Sequence, residues 1–389
     1  MSGASYDPGA RRDTPLALKL KERILRDGPI TVEQYMTACL YDPEHGYYVH
    51  RPAIGAAGDF ITAPEISQIF GELIGLWCAA VWRQMGAPKV FNLIELGPGR
   101  GTLMKDMLRA TRHATGFHTA VRVTLIESNV LLRDAQAKTL GETGFDIRWQ
   151  PGIDASARTE GLAIPTIIIG NEYLDCQPKK QFVRLSEGWV ERRVHINGLG
   201  KLDFCLNDPF DYPAVAWGPH VTQPVFPQAR DGDIIETGRA EGMIDLAMSP
   251  WPRAAALLID YGHTEPLTGD TLQTVRNHRY EHPLTSPGEA DLTMHVDFAA
   301  LGHGAHVGSK LAIDGPTTQA EFLGSLGIME RASRLMAANP AKAAQIEAGV
   351  ARLMSPTGMG SRFKAIGLRS PHLPPLPGFP VVDKSRSSP

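Results

Sequence analysis

One stretch constrains this chain more than any other: Val90 to Thr102, V-F-N-L-I-E-L-G-P-G-R-G-T. Val90, Phe91, Leu93, Ile94 and Leu96 form a short apolar run that fits a strand buried in a parallel sheet. Glu95 interrupts the run one residue from its end. Gly97, Gly99 and Gly101 follow on alternate positions, with Pro98 between the first two. Thr102 then opens a segment with Leu103, Met104, Met107 and Leu108 at helical spacing. Strand, glycine turn and helix in that order lift a glycine pattern above chance. Glycines let the backbone turn sharply and let a ligand lie against bare peptide. The expectation is an α/β fold with a ligand at its strand ends; a tight turn without a ligand is the plainer alternative.

The spacing narrows the ligand. A dinucleotide fingerprint is G-x-G-x-x-G, and here the position three after Gly99 is Thr102. A strand-end carboxylate such as Glu95 repels pyrophosphate and suits a ligand carrying a positive group, an ammonium or a sulfonium. Acid, strand and glycine loop together resemble motif I of the S-adenosylmethionine (SAM) methyltransferases. Glu95, Gly97, Pro98, Gly99, Gly101 and Thr102 are therefore candidate cofactor contacts. A nicotinamide-dependent oxidoreductase is the competing enzyme reading, disfavoured by Thr102 and Glu95.

Further strands supply further candidates. Val121, Val123, Leu125 and Ile126 end in Glu127-Ser128, where a Rossmann fold places the acid that binds ribose hydroxyls. Asn129 starts a helix. Ile147 and Trp149 mark a third strand, and the following turn puts Ile153 and Asp154 in reach of an adenine, or is an ordinary surface turn. Thr166 to Gly170 is a buried strand followed by N-E-Y-L-D-C-Q-P. At the carboxyl end of a central strand, Asn171, Glu172 and Asp175 are candidates to face the transferred methyl, with helix capping as the alternative for Asn171 and a solvated acid for Asp175. Ala255 to Gly262 repeats the pattern, and Asp260 there is either structural or part of the substrate site.

The amino-terminal part reads as helices. Leu16, Leu20 and Ile24 share one face, Gly28-Pro29 stops that helix, and Thr31 with Gln34 resembles a capping box. The loop Gly55 to Phe60, containing Asp59, is a connector or a lid. Thr62 with Pro64 opens a helix whose stripe from Ile66 to Val81 is core packing. A hairpin turns around Ser186 to Gly188, residues 207–230 are rich in Pro and aromatics, Ala305 to Ile313 reads as a strand, and helices follow from Phe322. The division expected is residues 1–88 as a helical and lid region, 89–200 with 251–330 as the core, 201–250 as an insertion on the substrate side, and 331–389 as carboxy-terminal helices and tail.

Composition excludes rather than identifies. A net charge of -3 over 389 residues gives no global basic footprint for nucleic acid. The four cysteines stand far apart, which fits a reducing compartment and neither a zinc site nor a disulfide framework. The histidines and aspartates lack metal-ligand spacing, so no metal is expected. No apolar run reaches membrane-spanning length.

The segments G-D-F-I-T-A-P-E-I-S, E-L-G-P-G-R-G-T-L, N-E-Y-L-D-C-Q-P, I-D-Y-G and M-G-S-R-F-K-A-I-G-L occur in that order across most of the chain. Jointly they resemble the MidA-like family, which includes the mitochondrial complex I assembly methyltransferase. The resemblance implies a Rossmann-like class I SAM-dependent methyltransferase with an amino-terminal helical segment, an inserted substrate-side region and carboxy-terminal helices. It implies protein-arginine methylation, with a subunit of NADH dehydrogenase as a candidate protein substrate. Gly97, Gly99 and Gly101 would be the SAM loop, Glu127 the ribose acid, and Asn171 with Glu172 the motif facing the methyl. Cys176-Gln177 departs from the small or aliphatic pair common in that motif. Carboxylates of Glu172, Asp175 or Asp260 would orient one guanidinium nitrogen. The absence of a clear presequence fits a bacterial, cytoplasmic member; a eukaryotic one would work in the mitochondrial matrix. Oligomeric state stays open, a homodimer included. A non-catalytic assembly factor that keeps the fold as a binding module is the remaining alternative.

Overall fold

The apolar runs become neighbouring strands. In chain order they are β1 (Phe91–Leu96), β2 (Val121–Ile126), β3 (Ile147–Gln150), β4 (Thr166–Asn171), β5 (Ala254–His263), β6 (Ala312–Thr318) and β7 (Phe363–Arg369). They lie in the order β6-β7-β5-β4-β1-β2-β3, the main path of an eight-stranded sheet. Strands β5, β4, β1, β2 and β3 run parallel; β7 is antiparallel to both its neighbours. The register places Leu96 beside Gly170 on one side and beside Ile126 on the other. Ile259 lies beside Asn171. The carboxyl ends of β1, β2, β4 and β5 therefore share one edge, where the strand order reverses and an open α/β sheet binds ligands.

The computed structural model describes residues 9–50, 62–152, 164–186, 188–206, 226, 228–238, 253–309 and 311–380. The proposed lid loop Gly55 to Phe60, and most of the 201–250 insertion, lie outside them. The chain divides into two compact units: Met1–Phe60 with Leu174–Ala240 and Glu265–Val296, and Ile61–Tyr173 with Glu241–Thr264 and Asp297–Pro389. Compactness thus groups the chain differently from composition, since residues 174–200 and 265–296 fall with the amino-terminal helices.

The first unit packs the helices Pro15–Asp27 and Val32–Tyr41 with a five-stranded sheet. Its hairpin, Lys179–Leu185 with Gly188–Ile196, turns where the sequence predicts, and the capping box of Thr31 and Gln34 is formed. Leu16, Tyr35, Met36, Val194 and Met294 are among its buried core.

The second unit holds the parallel sheet. Its helix Gln68–Gln84 lies tightly against Thr102–Ala110, the helix after the glycine loop. A Cβ at Gly71 would come within 2.6 Å of Asp106 Cβ, and one at Gly75 within 2.7 Å of Met107 Cα. These two glycines, one turn apart, set the helix spacing. Glu72 on the same helix pairs with Arg109 at 2.9 Å and Arg331 at 2.6 Å, joining three helices. From 370 to 380 the proline-rich tail forms no helix or strand, yet Leu376 and Phe379 are buried and Trp77 donates to the Pro377 carbonyl at 2.9 Å.

Three local expectations change. The stripe from Ile66 to Val81 is two helices, because extended Ser67 (φ -154°) ends Ala63–Ile66 and caps Gln68–Gln84 with its side chain. Residues 305–309 close a helix, Phe298–Ser309, rather than open a strand. Asp297 Oδ1 accepts the Ala300 N–H at 2.9 Å, and Phe298, Leu301 and Ala305 are buried at helical spacing. The strand expected there starts later, at Ala312. Phe363–Arg369, read from the sequence only as a segment after the helices, is β7. No helix among the described residues is long and apolar enough to cross a membrane.

Candidate active site

The glycine loop is built as its sequence demands. Gly97, Gly99 and Gly101 have φ of 58°, 54° and 81°, the left-handed region that side-chain-bearing residues avoid. The Gly97 N–H donates to the Ile126 carbonyl at 3.1 Å, and the Gly101 N–H to the Pro98 carbonyl at 2.8 Å, with Pro98 buried inside the turn. Gly97 is bare for a second reason. A Cβ there would lie 2.8 Å from Cδ2 of Tyr173, so the ring after β4 occupies that space. Gly101 caps the helix that Thr102 begins.

Glu95 points into the interior beneath this loop. It is 2% exposed, and its Oε2 is buried with no hydrogen-bond partner among the described residues. Burial pushes its carboxyl up to about 8. A buried acid in that state favours a neighbouring cation, which would restore its charge.

Glu127 follows β2 and is also buried. Its Oε1 accepts the Asn129 N–H at 2.8 Å, and its Oε2 accepts from Gln136 Nε2 at 3.2 Å. Its carboxyl is raised by burial, against which these bonds and Arg133 act. The same Gln136 amide donates to the Gly99 carbonyl at 2.7 Å and accepts from Trp149 Nε1 at 2.9 Å. One fully buried side chain thus ties the glycine loop, the acid after β2 and strand β3. Sequence reading did not single out Gln136, since an amide inside an amphipathic helix carries no signal of its own. Ser128 is exposed, and Ile153 and Asp154 lie outside the described residues. Thr102 donates its hydroxyl to Glu65 Oε1 at 2.5 Å.

Beyond β4, Asn171 donates from Nδ2 to Glu172 Oε1 at 3.0 Å. Since only a donor can face that carboxylate oxygen, the amide orientation is set. Asn171 Oδ1 is then a buried acceptor with no partner among the described residues. Glu172 Oε1 also accepts the Ala63 N–H at 3.0 Å. Glu172 sits at φ 52°, a backbone conformation costing a non-glycine residue on the order of 1 kcal/mol. Asp260, at the end of β5, is fully buried, and its Oδ1 accepts the Tyr261 N–H at 2.9 Å. Asp175 belongs to the first unit, where it is buried and its carbonyl accepts the Met294 N–H at 2.9 Å.

The second unit therefore gathers the candidates on β1, β2, β4 and β5 along one sheet edge. Two orphaned acceptors, Glu95 Oε2 and Asn171 Oδ1, lie at the ends of adjacent strands. That pair of acceptors without a partner among the described residues, beside a left-handed glycine turn, fits a cofactor that is cationic at one end and carries ribose hydroxyls at the other.

Comparison with known proteins agrees with that chemistry. Residues 73–317 match the model of the family described as "Putative S-adenosyl-L-methionine-dependent methyltransferase". The chain is 35% identical over 386 residues to "Protein arginine methyltransferase NDUFAF7, mitochondrial" of Homo sapiens, covering 93% of this chain and 85% of that one. It is 34% identical over 394 residues to the homologue of that protein in Drosophila melanogaster, covering 94% and 88%. A crystal structure of a Burkholderia thailandensis protein bound to S-adenosyl-homocysteine superposes with a TM-score of 0.80 at 26% identity, over 93% of this chain and 95% of that one. These similarities replace the nicotinamide oxidoreductase reading. The chain belongs to this family of S-adenosyl-L-methionine-dependent methyltransferases, and S-adenosyl-L-methionine is its cofactor.

Proposed function

We propose that the chain transfers methyl groups to arginine side chains of a protein. The carrying observation is the Asn171–Glu172 pair at the end of β4, a carboxylate and an amide locked to each other beside the cofactor edge. The relatives named above, called protein arginine methyltransferases, support the same substrate class. When bound, SAM supplies a methyl group already activated by its sulfonium, so leaving-group activation is not required of the protein. The residues of this chain hold and orient. Gly97, Pro98, Gly99 and Gly101 shape the loop, Glu127 takes the ribose hydroxyls, and Glu95 answers positive charge.

Guanidinium is a weak nucleophile because its lone pair is delocalised. A carboxylate fixed in orientation draws positive charge toward one side of the group and leaves another nitrogen richer in electrons. Glu172, fixed by the N–H of Ala63 and by Asn171, is suited to that work. Asp260 is a further candidate for the acceptor side. A subunit of NADH dehydrogenase is the substrate to test first, in the mitochondrial matrix for a eukaryotic source and the cytoplasm for a bacterial one.

The test supplies methyl-labelled SAM and isolated NADH dehydrogenase subunits, followed by complete acid hydrolysis. Label in methylarginines is the expected result. Label confined to lysine or histidine would contradict the arginine assignment while leaving the methyltransferase intact.

A further inference from the structure

The segment T-A-P-E-I precedes the long helix Gln68–Gln84, and beyond the Ala63 N–H that fixes Glu172 its side chains have a further role open to them. Its four-residue helix Ala63–Ile66 is tied at both ends to the cofactor edge. Ala63 donates its N–H to Glu172 Oε1 at 3.0 Å. Glu65 Oε1 accepts the hydroxyl of Thr102, the first residue of the glycine-loop helix, at 2.5 Å. One short turn thus touches the end of β4 and the glycine loop together.

Glu65 differs from the other acids around it. Glu72 has Arg109 and Arg331, and Asp106 has Arg109 at 2.9 Å. Glu65 has no cation within ion-pair distance among the described residues, and the Thr102 hydroxyl is its one hydrogen-bond donor there. It is half-buried rather than solvated. Its negative charge is felt nearby: Asp106 is raised to about 6, first by burial, with Glu72 and Glu65 adding to it. Glu95, the other carboxylate of the loop, is sealed in the interior, where burial raises its carboxyl to about 8. Among the described residues, Glu65 thus offers a carboxylate that is fixed in place, without an ion-pair partner and partly open.

We infer that Glu65, held by Thr102, binds the α-ammonium group of the methionine half of the cofactor. Thr102 is then a positioning residue, contacting the carboxylate and not the ligand. The plainer role for Glu65, an anion at the amino terminus of the helix Thr102–Ala110, would support the loop without selecting for the ammonium. The inference rests on the cofactor and not on the arginine acceptor, so the two fail separately.

The experiment compares two ligands by calorimetry on the full chain. S-adenosyl-homocysteine carries the ammonium and no sulfonium; 5′-methylthioadenosine keeps the nucleoside and sulfur but lacks the amino-acid end. Glu65→Gln keeps an acceptor for the Thr102 hydroxyl and removes the charge. It is expected to weaken S-adenosyl-homocysteine about tenfold or more, the usual weight of a charge-assisted hydrogen bond, and to leave 5′-methylthioadenosine unchanged. Thr102→Val, which frees the carboxylate, is expected to weaken S-adenosyl-homocysteine by a smaller factor, again selectively. Unchanged affinity for S-adenosyl-homocysteine in Glu65→Gln would overturn the inference. So would an equal loss for both ligands, which is the signature of a residue that only shapes the turn. Wild-type protein that binds neither ligand would overturn it as well, by removing the cofactor beneath it.

Discussion

Glu95 shows how far a single side chain can be read before its surroundings are known. Its place before the glycines marks it as a cofactor-edge acid, but only the fold shows the carboxyl sealed, half-unpaired and pushed from 4.5 to about 8. The folded chain therefore keeps a proton that the unfolded chain releases, so this group's contribution to stability declines as pH rises through that window. Glu95→Gln, which mimics the protonated acid, should flatten the fall in melting temperature between about pH 5 and pH 8 in ligand-free protein. Melting curves that stay parallel to wild type would mean Glu95 is not the buried acid described. Gly97 carries a similar lesson. The sequence pattern assigns it to the ligand, whereas its missing Cβ leaves room for Tyr173, a contact between residues far apart in the chain.

The elements of the edge are coupled by one amide. Gln136 joins the Gly99 carbonyl, Glu127 and Trp149, so the loop, β2 and β3 are held as one piece. Gln136→Leu keeps the helix and removes all three bonds. It should cost on the order of 2–4 kcal/mol in urea unfolding, the penalty of stranding buried polar groups, and should weaken SAM more than it slows bound-state turnover. A variant that loses stability but keeps its SAM affinity would limit Gln136 to structure. Strands β1, β4 and β5 were legible because each is a short, nearly uninterrupted apolar run, as burial on both faces requires, and β2 because its apolar residues recur around an exposed Arg122. β7 was not: Phe363–Arg369 is broken by Lys364 and Gly367 and becomes a strand through pairing with β5 and β6. The helix Phe298–Ser309 was hidden by its glycines and histidines, although Asp297 before it is an ordinary amino-terminal cap.

For the molecule entire, the glycine loop predicted the class of sheet, and the ordered set of motifs predicted the family. What stayed illegible was the way distant segments share a unit. Residues 174–200 follow β4 directly, yet they pair with strands near residues 30 and 234 rather than extending the parallel sheet. The central claim is that the glycine edge binds SAM. Calorimetric titration of SAM, and separately of NAD, into wild type and Gly99→Val tests it most directly, with folding of the variant checked by circular dichroism. Valine at this left-handed position of the loop should abolish binding. The account predicts SAM binding at about micromolar affinity, near -8 kcal/mol, absent in the variant, and no NAD binding. Folded wild type that ignores SAM at millimolar concentration, or that takes NAD in its place, would contradict it.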